Sequence, residues 1–241
     1  GVVEAVGEGV TRVRAGDRVA GIFLQDWLDG ALAAEAAGSA LGGGIPGVLA
    51  EYVVLPQHGL VGVPAHLTDE EAACLPCAAV TAWNALVREA RVKAGDTVVL
   101  LGTGGVSLFG LQFAKLHGAR VVITSSSDAK LELARSMGAD ACVNYRETTD
   151  WAAAVREFTG GRGADVVLEV GGAGTLEQSV AALRYGGRVC LIGILSGVTG
   201  PFSVASIFRS QLRVSGIYVG SRAMFEEMNR ALEASGIRPH I

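Results

Sequence analysis

The sequence predicts an α/β protein with a doubly wound parallel sheet and a smaller β-rich part at its N-terminal end. Three observations support this fold class. Near-continuous Val, Ile and Leu runs alternate with helical patterns after residue 96, a glycine-rich turn follows the first run, and residues 1–66 are rich in short strands and turns. Apolar runs of this kind are typical of parallel strands that helices cover on both faces.

In the second part of the chain, the apolar period separates strands from helices. We expect the helices at 105–117, 128–137, 150–159, 175–183 and 203–209. We expect the strands between them at 97–102, 120–125, 141–144, 165–170, 187–194 and 212–219.

In the first part, short β patterns predict strands at Val2–Val6, Arg18–Ile22 and Ala50–Leu55. The glycine- and alanine-rich segment Gln25–Gly47 is predicted to be a mobile loop. A capping box at 68–71 predicts the start of a helix, because its Thr and Glu can each satisfy a free backbone N–H group.

The same helix is expected to stop at Pro76, since proline lacks an N–H donor. A second helix is expected from Cys77 to Ala90.

The composition and charge of the chain argue against several kinds of binding partner. The net charge of −4 gives no reason to expect nucleic acid or an anionic membrane surface as a partner. No apolar run approaches the roughly 20 residues of a membrane span, and no secretory signal pattern stands at the start. The four cysteines of this 241-residue chain do not form a secreted disulfide framework. We therefore expect a cytoplasmic protein that acts on a small molecule.

The glycine turn is the most informative motif. Gly102 and Gly104 follow a predicted strand and precede a predicted helix, which is the context in which G-x-G-x-x-G indicates dinucleotide binding. Gly102 permits the turn, Gly104 lets the backbone approach a pyrophosphate, and the helix N-terminus offers free N–H groups. Ser107 replaces the third glycine. The alternative is an ordinary glycine-rich turn.

The end of the next strand distinguishes the two nicotinamide dinucleotides. NAD-binding sheets place a carboxylate there for the ribose hydroxyls, whereas this chain has Ser125 and no carboxylate before Asp128. Small hydroxyl residues leave room for a 2′-phosphate, and Lys130 and Tyr145-Arg146 follow nearby. The sequence therefore favours NADP, with NAD still possible, and Lys130 could instead be an ordinary solvated side chain.

Several segments together resemble one protein family. They are Gly1-x5-Gly7-x2-Val10, Gly16-Asp17-Arg18-Val19, Ala50-Glu51-Tyr52, Leu75-Pro76 with Thr81-Ala82, the fingerprint Gly102-x-Gly104-Gly105-Val106, and Asn144-Tyr145-Arg146. In this order they resemble the medium-chain dehydrogenase/reductase superfamily, which contains zinc-type alcohol dehydrogenases and quinone oxidoreductases.

The resemblance implies a Rossmann sheet with a partial GroES-like catalytic domain, and a chain truncated at both ends. The implied domains are 1–78, part of the catalytic domain; 79–219, which binds the dinucleotide; and 220–241, the start of the return to the catalytic domain. It also implies hydride transfer between a nicotinamide and a carbonyl/alcohol or enone/quinone substrate. No catalytic residue is assigned.

The resemblance further implies a set of cofactor-binding residues. Those for the phosphates and the adenosine half are Thr81, Gly102, Gly104, Gly105, Val106, Ser125, Lys130 and Tyr145. Those that would line the nicotinamide are Val170, Gly171, Ile192, Gly193, Ile194, Ile217 and Val219. Plain core packing is an equally good interpretation of each Val and Ile taken separately.

Zinc is where the sequence departs from the alcohol dehydrogenases it resembles. Their structural zinc needs four closely spaced cysteines, and Gln25–Gly47 contains none. Cys77 matches one ligand of their catalytic zinc, and a catalytic zinc takes three protein ligands. We therefore expect no metal site in this chain and interpret Cys77 as a buried structural cysteine.

The leading hypothesis is an NADP-dependent reductase of the quinone oxidoreductase type. The alternatives are a zinc-dependent alcohol dehydrogenase that uses Cys77 and a non-catalytic NADPH-binding protein. A methyltransferase is disfavoured, because a carboxylate usually stands where this chain has Ser125. The apolar segment Leu212–Val219 would form a long sheet edge, which predicts a homodimer paired through this strand.

Overall fold

The computed structural model describes residues 1–241 and divides into two compact units. One unit comprises Gly1–Val80 with Val219–Ile241, and we call it the β-rich unit. The other comprises Thr81–Tyr218, and we call it the sheet unit.

The sheet unit is built on six parallel strands in the order β5-β4-β3-β6-β7-β8. The strands are β3 (Thr97–Leu100), β4 (Arg120–Ser125), β5 (Ala141–Asn144), β6 (Ala164–Glu169), β7 (Leu183–Leu191) and β8 (Arg213–Gly216). The helices between them are α4 (Gly105–Leu116), α5 (Asp128–Ser136), α6 (Trp151–Phe158), α7 (Leu176–Ala182) and α8 (Val204–Arg209). The predicted α/β fold class is confirmed.

Burial explains why the apolar runs form these strands. Every residue of β3 and β6 is buried, as expected when helices cover both faces of a parallel sheet. On one face, Trp151, Val155 and Val180 pack with Val99 and Val167 in a single apolar cluster. Burying each such side chain stabilises the fold by about 1.5–3 kcal/mol. The helices therefore pack with their apolar faces against the sheet.

The last two strands differ from their predicted bounds. β7 begins at Leu183 rather than 187, because Leu183 pairs with Ala164 ahead of a register irregularity. β8 spans Arg213–Gly216 rather than 212–219 and is mostly exposed. Val219 has a φ of +47°, which is incompatible with extended backbone and rare for a β-branched residue. The predicted long apolar edge is therefore wrong, although β8 does lie at the edge of the sheet.

The β-rich unit contains less regular structure than the sequence predicts. β1 (Val19–Gly21) pairs antiparallel with β2 (Leu60–Gly62). Val2 forms only an isolated bridge to Arg18, so a strand at Val2–Val6 is wrong. Ala50–Leu55 also forms no strand, because no other segment pairs with it. Its flanking Leu49 and its Val54 are fully exposed.

The segment predicted as a mobile loop, Gln25–Gly47, is mostly exposed, but buried side chains and hydrogen bonds hold it at several points. It contains α1 (Ala34–Ala37). The Trp27 side chain is buried, and its Nε1 donates to the Gly30 carbonyl at 3.0 Å. The buried Ser39 hydroxyl accepts from the Asp26 amide at 3.0 Å and donates to the Ala36 carbonyl at 2.6 Å.

The predicted capping box is present at the start of α2 (Asp69–Ala73). The Thr68 amide donates to Glu71 Oε2 at 2.7 Å, and the Glu71 amide donates to the Thr68 hydroxyl at 3.3 Å. The predicted break at Pro76 is wrong. The chain continues through a π-helical segment (Leu75–Ala79), α3 (Val80–Trp83) and a second π-helical segment (Asn84–Glu89).

A wider turn explains how Pro76 is tolerated. The Ala79 amide donates to the Cys74 carbonyl at 3.3 Å, five residues back. Pro76 lies in the first turn of this π-helical segment, where an N–H group would lack a helical partner in any case.

The β-rich unit ends with α9 (Arg222–Ser235). The Ser221 hydroxyl accepts from the Met224 amide at its start, and Asn229 Nδ2 donates to the Gly62 carbonyl at 2.8 Å. Arg238 holds Glu71 through two hydrogen bonds of 2.8 Å. No helix of the protein combines the length and apolar character that crossing a membrane would require.

A buried carboxylate anchors the first residues of the two central strands. Asp165 on β6 accepts from the Thr97 amide of β3 at 2.8 Å, and from Arg162 and Arg184 at 2.5–2.9 Å. Burial alone would raise the pKa of Asp165, but the hydrogen bonds from Arg162, Arg184 and the Thr97 amide outweigh it. The pKa therefore lies below its ordinary value of 3.8.

We expect Asp165→Asn to lower the free energy of unfolding at pH 7 by about 2 kcal/mol, since it weakens several charge-assisted hydrogen bonds. Because the folded-state pKa is lowered, this contribution is present above pH 3.8 and is lost as the pH falls through the folded-state pKa. Urea unfolding at pH 7 and at pH 3.5 measures this effect. The difference in the free energy of unfolding between wild type and variant should be smaller at pH 3.5.

Glu132→Gln is the matched control, because Glu132 is mostly exposed and pairs only with Arg135. Glu132→Gln should lower the free energy of unfolding by less than about 1 kcal/mol. Equal losses for the two variants would contradict the anchoring role of Asp165.

Candidate cofactor site

The parallel sheet gathers most of the predicted site residues at one edge. Because all six strands run in the same direction, the residues that follow them lie at the carboxyl edge of the sheet. β3 and β6 are neighbours there, and the chain leaves β3 toward β4 but leaves β6 toward β7. Ligands of doubly wound sheets bind in the crevice at such a reversal.

The glycine turn after β3 is open to a ligand. Gly102 has a φ of +70°, and Gly104 is the N-cap of α4 without any side-chain hydrogen bond. A Cβ at Gly104 would meet nothing within 4 Å. The backbone N–H groups of residues 103–107 have no partner in the chain. These free donors and the positive end of the helix dipole are the groups that bind a pyrophosphate.

Ser107 shows how the motif works without its third glycine. The side chain is buried, and its hydroxyl donates to the Leu101 carbonyl at 2.7 Å. This bond joins the first turn of α4 to the residue that follows β3. A small hydroxyl residue therefore closes the turn where the usual pattern has glycine.

Hydroxyl groups connect the glycine turn to the end of β4. The Gly102 amide donates to Thr124 Oγ1 at 3.3 Å, and the Thr103 and Ser125 hydroxyls lie 3.3 Å apart. Ser125 also accepts from the Ser127 amide at 3.4 Å and is only 4% exposed. Its visible role is to join the two turns, and its contact with a ribose phosphate stays a prediction.

The two cations predicted at this end of the sheet are both available. Lys130, in the first turn of α5, and Arg146 are exposed and form no ion pair. The nearest carboxylate in sequence, Asp128, accepts a hydrogen bond of 2.8 Å from Asn144. Tyr145 is 43% exposed, and its amide donates to the Ser125 carbonyl at 3.1 Å.

The residues predicted to line the nicotinamide differ in exposure. Gly171 is buried, and Ile194 is 60% exposed. The other three residues that follow β6 and β7 are half-buried: Val170, Ile192 and Gly193. Thr81, Ile217 and Val219 are almost fully buried. Core packing therefore remains an equally good interpretation of Ile217 and Val219, and Val219 belongs to the β-rich unit.

One polar residue of this edge was missed by the sequence analysis. Glu169, the last residue of β6, is fully buried. It accepts hydrogen bonds from the Gly171 amide at 2.7 Å, the Gly172 amide at 3.0 Å and the Thr175 hydroxyl at 2.6 Å, and from the Ser179 hydroxyl. The available signal was a single carboxylate at the end of an apolar run.

The described residues do not form a metal site. No group of three His, Cys, Asp or Glu side chains is placed to hold an ion. Cys77 is exposed, so its interpretation as a buried cysteine is wrong. Cys190 is buried on β7, and burial raises the pKa of its thiol to about 12. A thiol with that pKa is neither a nucleophile nor a ready metal ligand near pH 7.

Comparison with known proteins identifies the family. The family described as zinc-binding dehydrogenase matches residues 105–234, and the alcohol dehydrogenase GroES-like domain matches residues 1–65. A zinc-type alcohol dehydrogenase-like protein of Schizosaccharomyces pombe is 45% identical over 99% of this chain and 71% of its own length. The chain belongs to the medium-chain dehydrogenase/reductase superfamily. It is an oxidoreductase of a family that binds pyridine nucleotides.

Two solved structures of this superfamily carry different cofactor names. The crystal structure of an NAD-dependent alcohol dehydrogenase has 37% identity and a TM-score of 0.88, covering all of this chain and 72% of the other. A 2-octenoyl-CoA carboxylase reductase in complex with NADP and 2-octenoyl-CoA has 30% identity and a TM-score of 0.87. That match covers 99% of this chain and 59% of the other. The superfamily therefore does not by itself decide between NAD and NADP.

Two glycine substitutions should distinguish the role of the turn's backbone conformation in stability from the role of its open space in cofactor binding. Gly104→Ala should lower the free energy of unfolding by less than about 1 kcal/mol, because its φ is −81° and the new methyl group meets no protein atom. It should nevertheless weaken NADPH binding at least tenfold, because the methyl group occupies the pyrophosphate space. Fluorescence titration and thermal unfolding measure the two effects.

Gly102→Ala is the matched variant, since its φ of +70° costs about 1–2 kcal/mol for a residue with a Cβ. It should lower stability more than Gly104→Ala does. NADPH binding that is unchanged in Gly104→Ala would exclude the turn as the pyrophosphate site.

Proposed function

We propose that this protein is an NADP-preferring oxidoreductase without a structural zinc. It would transfer hydride between the nicotinamide and a carbonyl/alcohol or enone/quinone substrate. The observation that carries the cofactor preference is the exposed, unpaired Lys130 beyond a strand that ends in Ser125 rather than in a carboxylate, with the nearest carboxylate, Asp128, bound by Asn144. Residues 79–219 would bind the cofactor, and 1–78 with 220–241 would belong to the catalytic domain.

Electrostatics favours the 2′-phosphate at this position. A lysine in the first turn of a helix opposes the helix dipole, at a cost of roughly 0.3–1 kcal/mol. A bound anion removes that cost and forms a charge-assisted hydrogen bond. A carboxylate at position 125 would repel the phosphate, whereas Ser125 does not.

The mechanism that this chain supports is one of positioning. The nicotinamide supplies the hydride chemistry when the cofactor is bound. The free N–H groups of residues 103–107 would hold the pyrophosphate, and the turns after β6 and β7 would orient the nicotinamide half. Fixing two reactants in this way accounts for a large part of the rate enhancement of many enzymes.

A zinc-dependent alcohol dehydrogenase is the second candidate. It is favoured by the exposed position of Cys77, while the partial burial of the thiol, which raises its pKa, opposes metal binding. Metal analysis of the full-length protein distinguishes the candidates, because one zinc per chain that is lost in Cys77→Ala would support the second. A non-catalytic NADPH-binding protein would bind the cofactor but oxidise it with no enone, quinone or aldehyde.

We expect NADPH to bind more tightly than NADH, and Lys130→Ala to weaken NADPH binding about tenfold, or about 1.4 kcal/mol. NADH binding should change less than twofold, because NADH has no 2′-phosphate. Isothermal titration calorimetry with both cofactors measures this difference.

Lys93→Ala is the control for loss of an exposed lysine away from the site, because Lys93 precedes β3 and so lies at the opposite edge of the sheet, where it pairs with Asp96. Ser125→Asp should reverse the preference in favour of NADH. Equal losses for both cofactors in Lys130→Ala would contradict the phosphate assignment.

We also propose a cytoplasmic homodimer paired through β8. The strand is an unpaired edge, and exposed apolar side chains lie on it and near it in sequence: Val214, Phe208 and Tyr218. An edge with free backbone groups can pair with its own copy around a two-fold axis.

Analytical ultracentrifugation at micromolar concentration should give twice the chain mass, and Val214→Lys should shift the protein to monomer. Val198→Lys, which changes a more exposed valine outside β8, is the control and should remain dimeric. A wild-type monomer would exclude this interface.

A further inference from the structure

Two loops at the carboxyl edge of the sheet are joined by hydrogen bonds. They are residues 169–175, which follow β6, and residues 192–197, which follow β7, and we call them the paired loops. The Gly171 carbonyl accepts from both the amide and the hydroxyl of Ser196, at 2.6 and 2.9 Å. The Ala173 amide donates to the Gly197 carbonyl at 3.0 Å. The backbone of each loop is thus held by the other.

The paired loops are also too close for side chains at their contact. A Cβ on Gly193 would lie 2.3 Å from the Val170 carbonyl oxygen. A Cβ on Gly172 would lie 2.6 Å from the Gly197 carbonyl oxygen. Such distances essentially never occur, so a side chain at either glycine would force the two backbones apart.

Glu169 is the centre of this arrangement. Its carboxylate is fully buried and accepts from two backbone amides and two hydroxyls of the segment that follows it, with no cation among these partners. Its backbone carbonyl accepts from the Ile192 and Gly193 amides at 2.8 and 3.2 Å. One residue therefore connects β6 to both loops.

The location of the paired loops indicates which half of a bound dinucleotide they would lie beside. Each half of a doubly wound sheet binds one mononucleotide, and the two meet at the crevice. The glycine turn, Ser125 and Lys130 belong to the β3–β5 half, which leaves the β6–β8 half for the nicotinamide nucleotide.

We propose that Glu169 is a positioning residue for the nicotinamide half of the cofactor, an inference that rests on the proposed nucleotide-binding function. Glu169 is fully buried, so it would act through the backbone that it holds rather than touch the ligand. Removing its charge should loosen the paired loops and leave the adenosine half of the site intact.

The test compares two ligands on wild type and Glu169→Gln. NADPH reaches both halves of the site, whereas 2′,5′-ADP carries only the adenosine half with its 2′-phosphate. The neutral amide keeps the size of the side chain but cannot accept from all four donors with a full charge. We expect NADPH affinity to fall about tenfold, and 2′,5′-ADP affinity to change less than twofold.

Equal changes for the two ligands, or no change for either, would overturn the inference. A wild-type protein that binds neither ligand would overturn the proposed function instead, so the two failures are distinguishable. Asp165→Asn controls for general destabilisation, because it alters a buried carboxylate at the opposite end of the same strand. It should lower the unfolding temperature without changing the affinity ratio of the two ligands.

A second pair of variants keeps the test informative if Glu169→Gln does not fold. Thr175→Val removes one of the four donors with little change in shape, and Thr175→Ser retains it. Thr175→Val should weaken NADPH binding threefold or more relative to 2′,5′-ADP, and Thr175→Ser should restore the wild-type ratio. A ratio that is unaffected in both variants would count against the positioning role.

Discussion

The pairing of β3 with β6 is the constraint on which the rest of the sheet unit depends. The two strands are far apart in the chain and buried along their whole length, so neither can exist without the other and the helices that cover them. The bond from the Thr97 amide to Asp165 fixes their first residues. Once this register is set, β4 and β5 extend the sheet on one side and β7 and β8 on the other. The crevice at the carboxyl edge is therefore a consequence of strand order.

The polar groups of the sheet unit follow from the same constraint. A strand that is buried on both faces can carry a charged side chain only where local donors satisfy it. β6 has Asp165 near its start and Glu169 as its last residue, with an apolar stretch between them. The first is satisfied largely by arginines and the second by amides and hydroxyls. At the carboxyl edge, hydroxyl groups also organise the backbone around the glycine turn. The candidate site consequently consists largely of oriented backbone groups.

The sequence was most informative where burial is periodic. The strands and helices of the sheet unit, the glycine turn and the capping box could be predicted, because each depends on neighbouring residues. Ala50–Leu55 could not, since a strand pattern needs a partner segment that the sequence does not identify. Pro76 was misjudged because a wider turn can accommodate proline, and propensity does not report that choice. Glu169 was missed because its significance lies in donors that only the folded turn brings to it.

The hydroxyl of Ser107 has a consequence for how such motifs are searched. Glycine at the third fingerprint position is usually explained by close approach of helix and strand. Here a side chain fits the same space and spans it with a hydrogen bond to Leu101. A pattern search that demands glycine at that position would discard this chain, although the two residues that open the turn are unchanged. A pattern that admits serine, and requires the strand before it and the helix after it, would recover such chains.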